Sequence, residues 1–456
     1  MKMIYTVEDK PKFGQVLVFA FQQLLAIMAA TIAVPFIISG TYNDFEVNMS
    51  IAAALFGAGV GTLVYVLFTK AKSPVFLGSS FAFLGSMGAA FAGAVSAQAG
   101  FAGLIIGAVL AGLVYVVISL LVKLVGVNWL NKLMPAVVIG PTVAIIGLSL
   151  AGNAVGDLQT ANAGGHTLIA VVCGIVTLIT VAICSTYGKK MAKLIPFIIG
   201  ILAGYIVATI FTVIGNVAGV DALKVVDFSA LKALFADGVK VSTFVSVPSF
   251  TFMNAVKGVT KIDGSYIATI AAAYVPVALV VFAEHVADHK NISSIIERDL
   301  LEEPGLHRTL LGDGVGSMVG AFFGGCPNTT YGESVACVAI SRNASVVTII
   351  TTACMAIIVS FVSPVIAFLQ SIPSCVMGGV CMALYGFIAV SGLKMLQPVD
   401  LNKNRNLFVA STILISGIGG LALNFGKVTI TGVATALILG IIVNTVLSGE
   451  KEETEE

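Results

Sequence analysis

The sequence predicts an all-α polytopic membrane protein of fourteen transmembrane segments in two inverted seven-span repeats. Three observations predict it. Hydrophobic residues make up 58% of the 456 positions and charged residues only 10%, against about 25% charged in a soluble domain. Apolar runs long enough to cross a bilayer recur along the whole chain. Two pairs of Gly- and Pro-bearing segments, seven spans apart, resemble each other.

The spans centre near residues 26, 58, 85, 112, 143, 175, 205, 276, 317, 340, 357, 384, 415 and 438. Those near 85, 317 and 340 are Gly-rich and interrupted. The first apolar run, about 13–38, is too long for the apolar region of a signal peptide, so a cleaved leader is not expected. Orientation follows from the 24 Lys and Arg residues. Lys427 falls in a short loop on one side. Lys224, Lys232, Lys240, Lys257 and Lys261 fall in one long segment, about 217–265, which counts little. All the rest, from Lys2 through Lys190 to Lys451, fall on the side of the N-terminus. A split this lopsided supports fourteen spans with both termini cytoplasmic, in the cell (inner) membrane.

The repeat is carried by Met134-Pro135-Ala136-Val137-Val138-Ile139-Gly140 in the fifth span and Ile372-Pro373-Ser374-Cys375-Val376-Met377-Gly378 in the twelfth. Pro74 to Gly78-Ser79-Ser80 in the third span corresponds to Pro327 to Gly332-Glu333-Ser334 in the tenth. Seven is odd, so the two halves run through the membrane in opposite senses. Inverted repeats with broken spans in matching positions mark secondary transporters. The net charge of +1 gives no reason to expect nucleic acid, and the seven cysteines show no metal-ligand spacing.

Charges inside a membrane point to function. Glu284, Asp288, Asp313 and Glu333 are the acids within or at the edge of spans. Glu284 and Asp288 stand four apart, on one helix face. Two carboxylates this close disfavour joint ionisation, so they are the expected proton carriers, with His289 beside them. The other reading of Asp288 and His289 is a solvated helix end, because Lys290 follows. His285 and His289 are also four apart, but no third ligand accompanies them, so neither a metal nor any other cofactor is expected. Asp313 reads as structural or interfacial. The stretch Gly324-Gly325-Cys326-Pro327-Asn328-Thr329-Thr330-Tyr331-Gly332-Glu333-Ser334 interrupts an otherwise membranous region, and irregular backbone at that depth is tolerated only where protein buries it or a cavity adjoins it. The freed N–H groups suit ligand carbonyls and the adjacent carboxylate suits ligand N–H groups. A flat ring with alternating C=O and N–H on its edge, such as uracil or xanthine, satisfies both.

These residues resemble the nucleobase–ascorbate transporter family (nucleobase:cation symporter 2), and within it the bacterial uracil permease branch. The resemblance rests on Leu77-Gly78-Ser79-Ser80-Phe81-Ala82-Phe83, Ala283-Glu284-His285-Val286, Pro304-Gly305-Leu306-His307-Arg308, Pro327 through Glu333 and Pro373 through Gly379. It implies short strands in spans 3 and 10 that meet at the midplane. It implies a core domain from 13–126 (spans 1–4) and 266–370 (spans 8–11), a gate domain from 127–216 (spans 5–7) and 371–448 (spans 12–14), and a long extracytoplasmic linker at 217–265. Ligand contacts carry over to Phe81, Glu284, Tyr331, Gly332 and Glu333, with Tyr385 reaching the site from the gate. A homodimer through the gate domains is implied as well.

Three departures stand out. The family's Asn after the tenth-span glutamate is Ser334, with Ser341-Arg342 closing the motif. Its first-span Gln-His pair is Gln22-Gln23. The branch's histidine one turn after the eighth-span glutamate is Asp288. Purine carriers of the family tend to have Gln where Glu333 stands, which favours a pyrimidine. The expectation is a uracil symporter coupled to a cation, the proton before sodium, working by alternating access and not an enzyme. The alternative is a carrier of the same fold for xanthine or another purine.

Overall fold

The computed structural model describes residues 3–41, 47–126, 128–189, 191–236, 238–425 and 428–449. Lys2, Lys190, Lys427 and Lys451, which enter the charge pattern, lie outside them. The principal helices are α1 (Phe13–Thr41), α2 (Ile51–Phe68), α3 (Leu84–Ala92), α4 (Ala97–Val125), α5 (Ala136–Ser149), α6 (Thr167–Tyr187), α7 (Pro196–Ala218), α8 (Gly264–Ile296), α9 (Leu306–Gly324), α10 (Gly332–Ser341), α11 (Val346–Val359), α12 (Ser374–Lys394), α13 (Asn404–Ile418) and α14 (Gly432–Val446). Every span centre read from the sequence falls inside one of these helices. Among the described residues, eight helices are long and apolar enough to cross a bilayer unaided; the four shorter apolar ones are 81–92, 332–341, 346–359 and 432–446.

The helices begin where side chains can take up their first N–H groups. Ser50 accepts from Ala53 N at 3.1 Å, Ser96 from Ala99 N at 3.3 Å and Asp263 from Tyr266 N at 2.7 Å. Small residues then let the helices approach closely, as packing within lipid favours. A Cβ added at Gly57 would lie 2.4 Å from Gly320 O, and one at Gly61 would lie 2.8 Å from Gly316 O. This interlock of α2 with α9 centres one cluster, to which α4, α8 and α11 add. A second cluster is built around α12, where Cβ atoms at Gly147 and Gly392 would strike the backbones of Tyr385 and Ala144. It gathers α5, α6, α7, α13 and α14.

Two broken spans lie inside the first cluster. Strand β1 (Leu77–Ser79) precedes the short 3-10 turn Phe81–Phe83 and α3. Strand β2 (Asn328–Thr330) follows Gly325, whose φ of +77° ends α9 in the left-handed conformation glycine favours. The 217–265 segment, expected as a linker, carries short helices at Ser229–Ala233, Val241–Phe244 and Thr251–Gly258, the last packed on α4 and α9. On another face Arg298 pairs with Glu8 and Glu303, and Glu303 also with Lys72. These ion pairs tie the N-terminal segment to the loops after α2 and α8.

Candidate functional site at the paired half-strands

β1 and β2 pair antiparallel, with Leu77 opposite Thr330, Gly78 opposite Thr329 and Ser79 opposite Asn328. All six residues are buried. Extended backbone in an apolar interior needs partners for its polar groups, and neighbouring helices supply them. Leu77 N donates to Thr62 Oγ1 at 2.9 Å, Asn328 N donates to Ser317 Oγ at 3.0 Å, and Asn328 Nδ2 donates to Gly57 O at 3.2 Å. Ser80 N donates to Pro327 O and Tyr331 N to Phe76 O, extending the pairing at both ends.

Helices α3 and α10 leave this junction, and the residues singled out in the sequence gather around it. Gly332 opens α10 and is exposed; a Cβ there would meet nothing within 4 Å, so its backbone borders open space. Glu333 follows in the first turn, partly exposed. Helix α8 packs against α10, and Glu284, Asp288 and Glu333 lie within electrostatic reach of one another. Glu284 is partly exposed. Asp288 accepts a hydrogen bond on Oδ2 from Thr330 Oγ1 at 2.7 Å, so it is fastened to β2 rather than lying in water at a helix end. Phe81 and Tyr385 meet edge to face, ring centroids 5.5 Å apart, where the two helix clusters approach each other.

Tyr331 and His289 are placed differently from a freely offered ligand group. The Tyr331 hydroxyl donates to Ser79 O at 2.9 Å and its ring lies against Gly78, where a Cβ would come within 2.3 Å. His289 is buried behind the carboxylate face. Its Nδ1–H donates to the His285 carbonyl at 2.9 Å, which leaves Nε2 to accept from the Tyr65 hydroxyl at 2.7 Å. Its ring stacks on His285 at 4.0 Å. The structure thus brings Glu284, Asp288 and Glu333 together beside the paired strands and sets Phe81 against Tyr385, while the Tyr331 hydroxyl and the His289 ring are taken by Ser79 and by Tyr65 and His285.

Two connections escaped the sequence reading. Asp313 is not interfacial: it is 1% exposed, inside α9, with Oδ2 2.7 Å from His285 Nδ1. His285 Nε2 lies 3.0 Å from Thr309 Oγ1. The signal available was a charge flanked by glycines, Gly312-Asp313-Gly314, in an apolar helix. In addition, two of the departures from the family pattern touch each other. Gln23 Nε2 donates to Ser334 Oγ at 2.5 Å, and Ser334 Oγ also accepts from Phe76 N at 3.1 Å.

A family model described as the Permease family matches residues 14–426. The chain belongs to the Permease family. The uracil permease of Bacillus caldolyticus is 37% identical over 459 residues, covering 100% of this chain and 97% of the relative. The uracil permease of Bacillus subtilis (strain 168) is 36% identical, with 98% and 96% covered, and that of Escherichia coli (strain K12) is 34% identical, with 95% and 92% covered. Among solved structures, the transmembrane domain of a cyanobacterium bicarbonate transporter, BicA, aligns with a TM-score of 0.59 at 14% identity, covering 96% of this chain and 100% of that one. The murine Slc26a9 anion transporter in the inward-facing state aligns with a TM-score of 0.64 at 10% identity, covering 96% and 69%. At such identities the likeness is one of fold. This permease is a transport protein rather than an enzyme, embedded in the cell membrane by multiple apolar helices.

Proposed function

We propose that this permease imports uracil with a coupled proton by alternating access. The observation that carries the reading is the open space before Gly332, bordered by carboxylates. A uracil edge placed there can accept from the Gly332 N–H and donate its ring N–H groups to Glu333 and Glu284, while Phe81 and Tyr385 cover the ring. Glu284 and Asp288 hold and release the proton; His289, turned toward Tyr65, supports α8 from behind. The relatives named uracil permeases support the substrate. Paired carboxylates repel anions, which argues against the anionic cargo of the more distant structural neighbours despite the shared fold.

The same proposal includes fourteen spans in two inverted sevens with cytoplasmic termini. It also includes a core domain (13–126 and 266–370) that moves against a gate domain (127–216 and 371–448), joined by 217–265, and a homodimer through the gates. The α2–α9 and α12–α5 interlocks are compatible with two bodies of this composition.

A binding panel on purified protein tests the substrate. Uracil should bind more tightly than thymine, xanthine, guanine or adenine; preferred binding of xanthine would move the assignment to a purine. Uptake into vesicles under imposed gradients tests the ion. Accumulation should follow a proton gradient, and accumulation that follows only sodium overturns the coupling.

A further inference from the structure

The stretch 238–247, between α7 and α8, exposes its apolar side chains beside the exposed Lys240, Ser242 and Ser246, and only Thr243 is buried. Ser242, Thr243 and Ser246 border a recess of about 400 Å³ that Ser363 and Gln370 close from the other side. Thr243 is buried, and Ser363 Oγ donates to Ser242 O at 3.1 Å and lies 3.0 Å from Ser246 Oγ. Leu234, Val247 and Ile366 also border the recess, and most apolar side chains of the stretch are exposed. Val239 is 71% exposed, Val241 81%, and Phe244 and Val245 54% each, with Phe235 at 57% just before them. Exposed apolar patches of this kind mark contact surfaces.

The stretch is also held in place. Upstream of it, Val225 and Val226 N–H groups donate to Thr212 Oγ1 in α7 at 3.0 and 2.9 Å. Ser246 N donates to Phe361 O at 3.0 Å, and Phe250 packs edge to face on Phe56 at 4.8 Å. These ties fix it beside the ends of helices that cross the membrane. The exposed apolar row of α7, Ile206, Ile210, Val213 and Val217, runs down to the same end of the molecule, Val217 being 85% exposed. An exposed apolar row of this kind in a multi-pass permease suits lipid, and the outward valines and phenylalanines belong to the connection that follows its end. Lys232, exposed on the preceding short helix, stands where a basic side chain can reach phosphate headgroups.

We propose that 238–247, with Phe235, is a monotopic anchor whose apolar side chains enter the headgroup–acyl boundary of the adjoining leaflet. Its partner is the lipid surface, and its Ser242, Thr243 and Ser246 border the recess beside it. The anchor would hold that recess at the level of the membrane surface.

The chain has one tryptophan, Trp129, so a Trp129→Phe, Phe244→Trp variant reports from the patch alone. It would be placed in phosphatidylethanolamine–phosphatidylglycerol vesicles, with and without chain-brominated lipid. The expected result is blue-shifted emission, quenched about twofold or more by bromines near the headgroup end of the chains and little by aqueous iodide. Emission at the red, water-exposed position, quenched by iodide and untouched by brominated lipid, would overturn the proposal. Protection from both quenchers would also overturn it, in favour of a second copy covering the face. Val241→Trp, measured in the same background, gives the same discrimination should Phe244→Trp fail to fold.

Discussion

Gly332→Val separates the proposed site from the fold. A Cβ at this position meets nothing within 4 Å, so the folded protein has room for the side chain. Valine in a first helical turn costs only about 0.5 kcal/mol in propensity. A uracil ring seated in that open space, however, would overlap the valine side chain, because non-bonded carbon atoms require roughly 3.5–4 Å. The ring must retreat, and it loses both the backbone N–H bond and the charge-assisted bond to Glu333 next to it. Those are worth about 1 and about 1.5–3 kcal/mol, together roughly two to three powers of ten in Kd. Calorimetric titration of uracil into purified wild type and Gly332→Val, beside their melting curves, measures both quantities. Coincident melting with a Kd raised at least a hundredfold is expected. A well-folded Gly332→Val that binds uracil within about threefold of wild type would refute the placement of the ligand.

Other expectations follow from the same geometry. Glu333→Ala should weaken uracil binding about ten- to a hundredfold with normal expression, and Glu333→Gln should spare purines more than uracil. Gly78→Ala should act oppositely to Gly332→Val: its Cβ would lie 2.3 Å from the Tyr331 ring, an overpacking worth about 1–3 kcal/mol, so the melting temperature should fall, and an unchanged one would contradict the packing of Tyr331 on β1. Glu284→Gln should abolish accumulation and Asp288→Asn should shift the pH profile of uptake; a profile unmoved by Asp288→Asn removes that residue from the coupling. Lys72 and Arg298 hold the exposed Glu303 carboxyl below the usual carboxylate range. Its contribution to stability is therefore present above the unfolded-state value near 4.3 and is lost as pH falls through the lower folded value. The melting difference between wild type and Glu303→Gln should accordingly vanish in acid.

The broad architecture was legible because it follows from apolar length and from where glycine and proline interrupt it. The breaks at Gly78 and Pro327 coincide with β1 and β2, and the acids of α8 and α10 were visible as charges in apolar surroundings. What could not be read depends on which helix lies beside which. His285 and Asp313 are 28 positions apart and meet only because α8 and α9 pack together. Gln23 and Ser334, noted separately as departures, form one contact across more than half the chain. The Tyr331 hydroxyl is taken by Ser79 O, and His289 turns from the carboxylates toward Tyr65; residue type alone could not choose among such partners. The docking of 217–265 was hidden for the same reason, since Phe250 and Phe252 find their aromatic partners on α2 and α9.

The two-stranded pairing also constrains how the protein comes to be made. Leu77 and Thr330 are neighbours in space, yet most of the polypeptide lies between them. Contacts of such long sequence separation form late, after the loop between them has closed. During synthesis β1 must wait in or beside the bilayer with its ladder groups unpaired until α9 and β2 emerge from the ribosome and insert. The first half of the chain, inserted alone, holds an open strand edge where the completed protein holds a paired one. Pairing of β1 with β2 therefore waits on the docking of the two halves, and a product lacking the second half keeps an unpaired strand edge open to association with a foreign one.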